Sequence, residues 1–173
     1  MVFILIGMPG CGKSCMGKAV SKKIGLKHLD ADKIIEKRTG RTLSDIIVND
    51  GVDAFKKIEE ETLLSLKLDN VILSTGGSAI YYPAAMEHLK SMGCVVYLYC
   101  PYGVIEERLG DFSKRGVVLR EGQTLKDLYD ERCPLYEKYA DVTVDCGGTD
   151  YTRYRERVLA VMKSVMEFTD SDK

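Results

Sequence analysis

Apolar residues in this chain fall into two kinds of run that alternate along its length. Val2 to Ile6, Val71-Ile72-Leu73-Ser74 and Val95-Val96-Tyr97-Leu98-Tyr99 are short and nearly unbroken, the pattern of strands buried on both faces. Lys27 to Asp32 and Asp141 to Asp145 read as two further, more polar strands. Between the strands, apolar positions return at helical spacing. Met16, Ala19, Val20 and Ile24 follow the first strand; Phe55, Ile58 or Glu59, Thr62, Leu63 and Leu66 share one face between Asp53 and Leu68; Val158, Val161, Met162 and Val165 share another between Arg153 and Phe168. A helix is expected from near Lys33 to the break at Gly40-Arg41. Thr42-x-x-Asp45 has the form of a capping box for a short helix carrying Leu43, Ile46 and Ile47. Pro83 suits the first turn of a helix with Met86 and Leu89, and Pro101 starts another that runs through Arg108. Thr124-x-x-Asp127 caps a helix that Pro134 is expected to kink or end. Strands alternating with helices predict an α/β fold, a parallel sheet covered on both faces with right-handed crossovers.

Composition narrows the class. The 173 residues suit one domain, with no repeats and a polar tail from Thr169 to Lys173. The net charge of −1, with both signs mixed along the chain, shows no footprint for nucleic acid or an anionic membrane, so small molecules are the expected partners. The six cysteines form no C-x-x-C pair and have no histidines at metal-ligand spacing, which fits reduced thiols. With no basic leader, no cleavage site and no apolar run near ~20 residues, a cytoplasmic location is expected.

The chemistry concentrates at strand ends. Gly7-Met8-Pro9-Gly10-Cys11-Gly12-Lys13-Ser14 fits the G-x-x-x-x-G-K-[ST] phosphate-binding pattern and lies between a strand and a helix, the context its mechanism requires. Gly10 and Gly12 let successive N–H groups converge on one anion, and the helix N-terminus adds partial positive charge. Lys13 is placed for the β- and γ-phosphates and the Ser14 hydroxyl for Mg²⁺. Cys11 is read as a small residue filling the loop. Asp30 and Asp32 lie at the end of the second strand with their side chains on one side of it; such a pair also suits the cap of the following helix. Thr75-Gly76-Gly77-Ser78 is a second glycine turn at the end of a buried strand, where ligands of open α/β sheets collect. Gly110 to Gly122 has weak periodicity and several cations, Arg115 and Arg120 among them, and reads as a lid.

Taken in order, the phosphate loop, Asp30-Ala31-Asp32, Thr75-Gly76-Gly77, and Arg132-Cys133-Pro134-Leu135-Tyr136 with Ala140-Asp141 resemble the shikimate kinase family, one of the P-loop small-molecule kinases. The resemblance spans nearly the whole chain. It implies a three-layer αβα fold with a five-stranded parallel sheet in the order 2-3-1-4-5, a helical substrate-binding region over residues 33–61 and a lid over 110–122. It also implies transfer of the γ-phosphoryl group of ATP to the 3-hydroxyl of shikimate, with Mg²⁺; a monomer is expected.

By position, Gly10, Cys11, Gly12, Lys13, Ser14 and Cys15 would hold the nucleotide, with Arg108 stacking on adenine. Ser14 and Asp30 would hold the metal, Asp30 through water. Asp32 would bind the acceptor hydroxyl and could accept its proton, and Arg115 would reach the transferring phosphate. Lys56, Gly76, Gly77, Ser78 and Arg132 would bind the acceptor. Four positions depart from the family pattern, all on the acceptor side or the lid. Lys56 stands where the family has arginine, Ser78 where it has a third glycine, and Gly116-Val117 where it has proline and leucine. Lysine lacks the forked donor that grips a carboxylate at two points. A kinase for another small hydroxylated metabolite, or a nucleotide-binding regulatory module without catalysis, are the other readings.

Overall fold

In a computed structural model, described for residues 1–110, 119–148 and 150–171, the strands are β1 (Val2–Ile6), β2 (Lys27–Asp30), β3 (Val71–Ser74), β4 (Cys94–Tyr99) and β5 (Val142–Asp145). They form one sheet in the order β2-β3-β1-β4-β5, and every neighbouring pair is parallel. This is the expected order. The central strand explains itself: Phe3, Ile4, Leu5 and Ile6 are fully buried, each worth about 1.5–3 kcal/mol of burial. The helices are α1 (Lys13–Ile24), α2 (Ala31–Thr39), α3 (Leu43–Asp50), α4 (Val52–Ser65), α5 (Pro83–Met92), α6 (Tyr102–Leu109), α7 (Leu125–Tyr139) and α8 (Tyr151–Ser171), with a 3-10 helix at Ala79–Tyr81. Among the described residues no helix is long and apolar enough to cross a membrane.

The topology places the site. From β1 the chain crosses to β3's side of the sheet first and to β4's side later, so the connections diverge at the carboxyl end of β1 and open a crevice there. The phosphate loop follows β1 directly. A small second core of Ile35, Ile46 and Phe55 ties α2, α3 and α4 together beside that crevice.

Two expectations change. The strand reading of Lys27 to Asp32 stops at Asp30, whose Oδ1 accepts a hydrogen bond from the Asp32 N–H at 3.1 Å and caps α2. Asp30 and Asp32 therefore do not share a strand face: Asp32 stands in the first helical turn. Pro134 does not end α7, which runs on to Tyr139. It faces solvent, so the carbonyl one turn earlier, which loses its donor, can be hydrated. Buried Arg132 and Tyr136 anchor the helix on either side, with Tyr136 stacked on Tyr97 at 5.2 Å.

Candidate active site

Gly10 and Gly12 lie at φ of 81° and 95°, left-handed backbone that a side chain would strain. Gly12 is the residue before α1, whose first-turn N–H groups have no helical acceptor and stand ready for an anion. Buried Cys11 fills the inside of the loop. Lys13, almost buried, donates to the carbonyls of Gly7 at 2.7 Å and Met8 at 3.0 Å, so its ammonium is held across its own loop. Ser14 and Cys15 are exposed at the mouth, and the Cys15 thiol lies 3.1 Å from the Tyr151 hydroxyl.

Lys13, Ser14 and Asp32 line one cleft of about 390 Å³ with the Gly76-Gly77 turn. Burial is the main cause that raises the pKa of Asp32; Asp30 adds to it and Lys13 opposes it. Such a carboxylate is a better proton acceptor than an exposed one. A Cβ at Gly76 would lie 2.3 Å from Glu59 Oε1 and 3.5 Å from Asp32 Oδ1, so only glycine leaves the two carboxyl groups their place.

Beyond the turn, a second cleft of about 450 Å³ shares Pro9, Phe55, Gly77 and Ser78 with the first. Its cations are Lys56, Arg120 and Arg132. Arg132 is 6% exposed; its Nε donates to the Tyr81 hydroxyl at 3.2 Å, and its guanidinium lies 5.2 Å from that ring's centre. The Tyr81 hydroxyl in turn donates to Glu131, whose other oxygen takes an ion pair from Arg120. Tyr136 donates to the Gly77 carbonyl at 2.7 Å, pinning the glycine turn to α7. A buried guanidinium with no carboxylate in salt-bridge contact among the described residues is a strong anion site.

The family model for shikimate kinase matches residues 9–167. The chain belongs to the shikimate kinase family. It is 37% identical over 146 residues to a shikimate kinase of Clostridium botulinum, covering 84% of this chain and 87% of that one. It is 34% identical over 161 residues to one of Bacillus cytotoxicus, covering 92% and 97%. Among solved structures it resembles a shikimate kinase from Acinetobacter baumannii in complex with shikimate, with a TM-score of 0.81 and 31% identity over 96% of this chain and 93% of that one. A shikimate kinase from Aquifex aeolicus gives a TM-score of 0.82 with 30% identity, covering 96% and 98%.

The departures Lys56 and Ser78, and the expected arginines, stand as follows. Lys56 lines the second cleft, but its ammonium pairs with Asp53 at 3.3 Å, one turn back on α4, and its side chain is half exposed. Ser78 does not merely fill a glycine's place: its hydroxyl donates to Glu59 at 2.6 Å. Arg108 donates to the carbonyls of Cys146 and Gly148, at 3.4 and 3.0 Å, and lies over the Tyr154 ring at 5.2 Å. Arg115 and most of the expected lid lie outside the described residues; Arg120 is tied to Glu131.

Sequence reasoning left Ile58 and Glu59 as equals on the inner face of α4, and Glu59 is the one buried. It also missed Tyr81, Tyr82 and Glu131. Periodicity could have pointed to Glu59, since Phe55, Glu59 and Thr62 to Leu63 keep helical spacing. Nothing in the local pattern marks the tyrosines.

Proposed function

We propose that this chain transfers the γ-phosphoryl group of ATP to the 3-hydroxyl of shikimate. One observation carries the reading: the phosphate loop with Lys13 and Ser14 faces Asp32 across a single cleft, and that cleft meets an arginine-lined one at Gly77 and Ser78. A nucleotide side that carries the carboxylate suited to take a proton thus adjoins an acidic-acceptor side at the glycine turn.

Phosphoryl transfer asks for positioning and charge neutralisation more than covalent help. Lys13 and the N–H groups of the loop bind the phosphates. Asp32 orients the acceptor hydroxyl and takes its proton at a carboxylate oxygen. Arg132 holds the acceptor's carboxylate, with Lys56 as a weaker second cation, while Gly76, Gly77 and Ser78 shape the contact between the two sides. Residues 33–61 are the acceptor-binding region in this reading, and Arg115, in the lid, reaches the transferring phosphate. Arg108 borders the adenine.

The donor set fits Mg²⁺. The Ser14 hydroxyl is exposed at the cleft, and the described residues hold no cluster of three acidic, histidine or cysteine side chains. A cation here would be bound by Ser14, by Asp30 through water and chiefly by phosphate oxygens, as Mg²⁺ commonly is. Held by these residues, the ion would supply charge neutralisation. The same reading takes the chain to act as a monomer in the cytoplasm.

The test is ADP release from ATP against a panel of small hydroxy acids that includes shikimate. Saturable, shikimate-dependent turnover is expected, abolished in Lys13→Ala while that variant still unfolds cooperatively. Turnover with another member of the panel and none with shikimate would reassign the acceptor. Undiminished turnover in Lys13→Ala would remove the loop from the reaction.

A further inference from the structure

Glu59 is 1% exposed and lines the first cleft under Gly76. Its two oxygens are treated unequally. Oε2 accepts hydrogen bonds from the Ser78 hydroxyl at 2.6 Å and the Tyr82 hydroxyl at 2.9 Å. Oε1 has no hydrogen-bond partner among the described residues. Nor, among the described residues, does a cation neutralise the group by contact: Lys56, three residues earlier on α4, pairs with Asp53. An unpaired polar atom at this depth is destabilising if nothing ever pairs with it. Two hydroxyls gripping Oε2 fix the rotation of the carboxyl group, and with it the direction of Oε1.

Resting on the reading of the acceptor above, we infer that Ser78, with Tyr82, is a positioning residue that aims Glu59 Oε1 at a second hydroxyl of the acceptor, one that is not phosphorylated. Asp32 and Glu59 then read two hydroxyls of one ring, with Gly76 as the gap between them. The cleft selects a polyhydroxylated ring acid over one with a lone hydroxyl. Ser78 brings a hydroxyl that glycine at this position would lack.

The charges around Glu59 agree. Burial raises its pKa above the ordinary carboxylate value, the Ser78 and Tyr82 hydrogen bonds pull it back, Asp32 on α2 raises it and Arg132 on α7 lowers it. Losing Ser78 should therefore move the titration of Glu59 upward.

The experiment compares Ser78→Ala and Ser78→Thr with the unaltered chain, on shikimate and on analogues lacking one of the two other ring hydroxyls. Ser78→Ala should raise KM for shikimate roughly tenfold, as expected for a lost hydrogen bond to a charged group, with KM for ATP unchanged. Ser78→Thr should restore it. With the analogue that lacks the contacted hydroxyl, Ser78→Ala and the unaltered chain should be equal, a result that loose packing alone would not give. An equal Ser78→Ala effect on shikimate and on both analogues would overturn the inference, as would an equal change in both substrates' KM. If the chain turns over a different member of the panel, the acceptor reading fails while the same comparison is made with that compound and its deoxy analogues. Carbon-13 carboxyl NMR supplies an arm that needs no turnover: the Glu59 resonance should titrate at higher pH in Ser78→Ala and shift when the acceptor is added. A titration that Ser78→Ala leaves in place, or a resonance blind to the acceptor, counts against the clamp.

Discussion

Lys56 and Arg132 show how two cations lining one cleft acquire different weights. Arg132 is buried and lies over the Tyr81 ring, whereas Lys56 is half exposed and engaged with Asp53, a surface pair worth little. Arg132→Ala should weaken acceptor binding by about 2–5 kcal/mol, the effect of removing a buried charge partner, and leave KM for ATP near its original value. Lys56→Ala should have a much smaller effect, and Lys56→Arg should hold or tighten the acceptor by offering a forked donor. Steady-state KM for both substrates checks this; a Lys56→Ala loss equal to that of Arg132→Ala would show that Lys56 leaves Asp53 for the substrate. Both residues stood out in the chain as letters in a pattern. Their unequal burial did not, because it depends on α7 packing against the 3-10 helix while Lys56 lies on the outer side of α4.

At the scale of elements, local chemistry was a good guide to helix boundaries: α2 ends at Thr39 with Gly40 in a left-handed conformation, at the expected break. Thr42 with Asp45 and Thr124 with Asp127 form reciprocal capping boxes, as their spacing announces. Such caps are closed within four residues, so no tertiary contact is needed to predict them. The misread elements are those where packing overrides local preference. α7 passes through Pro134 because the side chains around it are anchored to the sheet and the 3-10 helix, and the defect faces water. If Pro134 is only tolerated, Pro134→Ala should stabilise the fold by roughly 1–2 kcal/mol, the regained helical bond less the added freedom of the unfolded chain. Urea denaturation measures it; a loss of stability would mean that α7 needs the proline's shape.

For the whole molecule, the buried carboxyl of Glu59 ties stability to pH. Its folded pKa is raised above the ordinary 4.5, with burial as the main cause. The folded state therefore keeps this proton in a range where the unfolded chain has lost it. Its contribution is most favourable below pH ~4.5 and declines as pH rises through the folded pKa. Glu59→Gln lacks this titration. The difference in melting temperature between Glu59→Gln and the unaltered chain should shift in favour of the variant from acid to pH 8, while acceptor binding suffers. Thermal denaturation across a pH series reads it, and a difference independent of pH would deny Glu59 its raised pKa.

The sequence by itself determined the class of the fold, the place of the phosphate loop and the family, because buried strands, amphipathic helices, capping boxes and a glycine loop are written in contiguous residues. Only the tertiary structure decided how the acceptor side is built. Glu59, Ser78 and Tyr82 come from α4 and from the segment between β3 and α5, and Arg132 meets Tyr81 across 51 positions. Which of Ile58 and Glu59 turns inward, and which oxygen of Glu59 is left free, follow from the packing of those elements against one another. Hydrogen bonds between side chains far apart in sequence leave no period and no spacing along the chain.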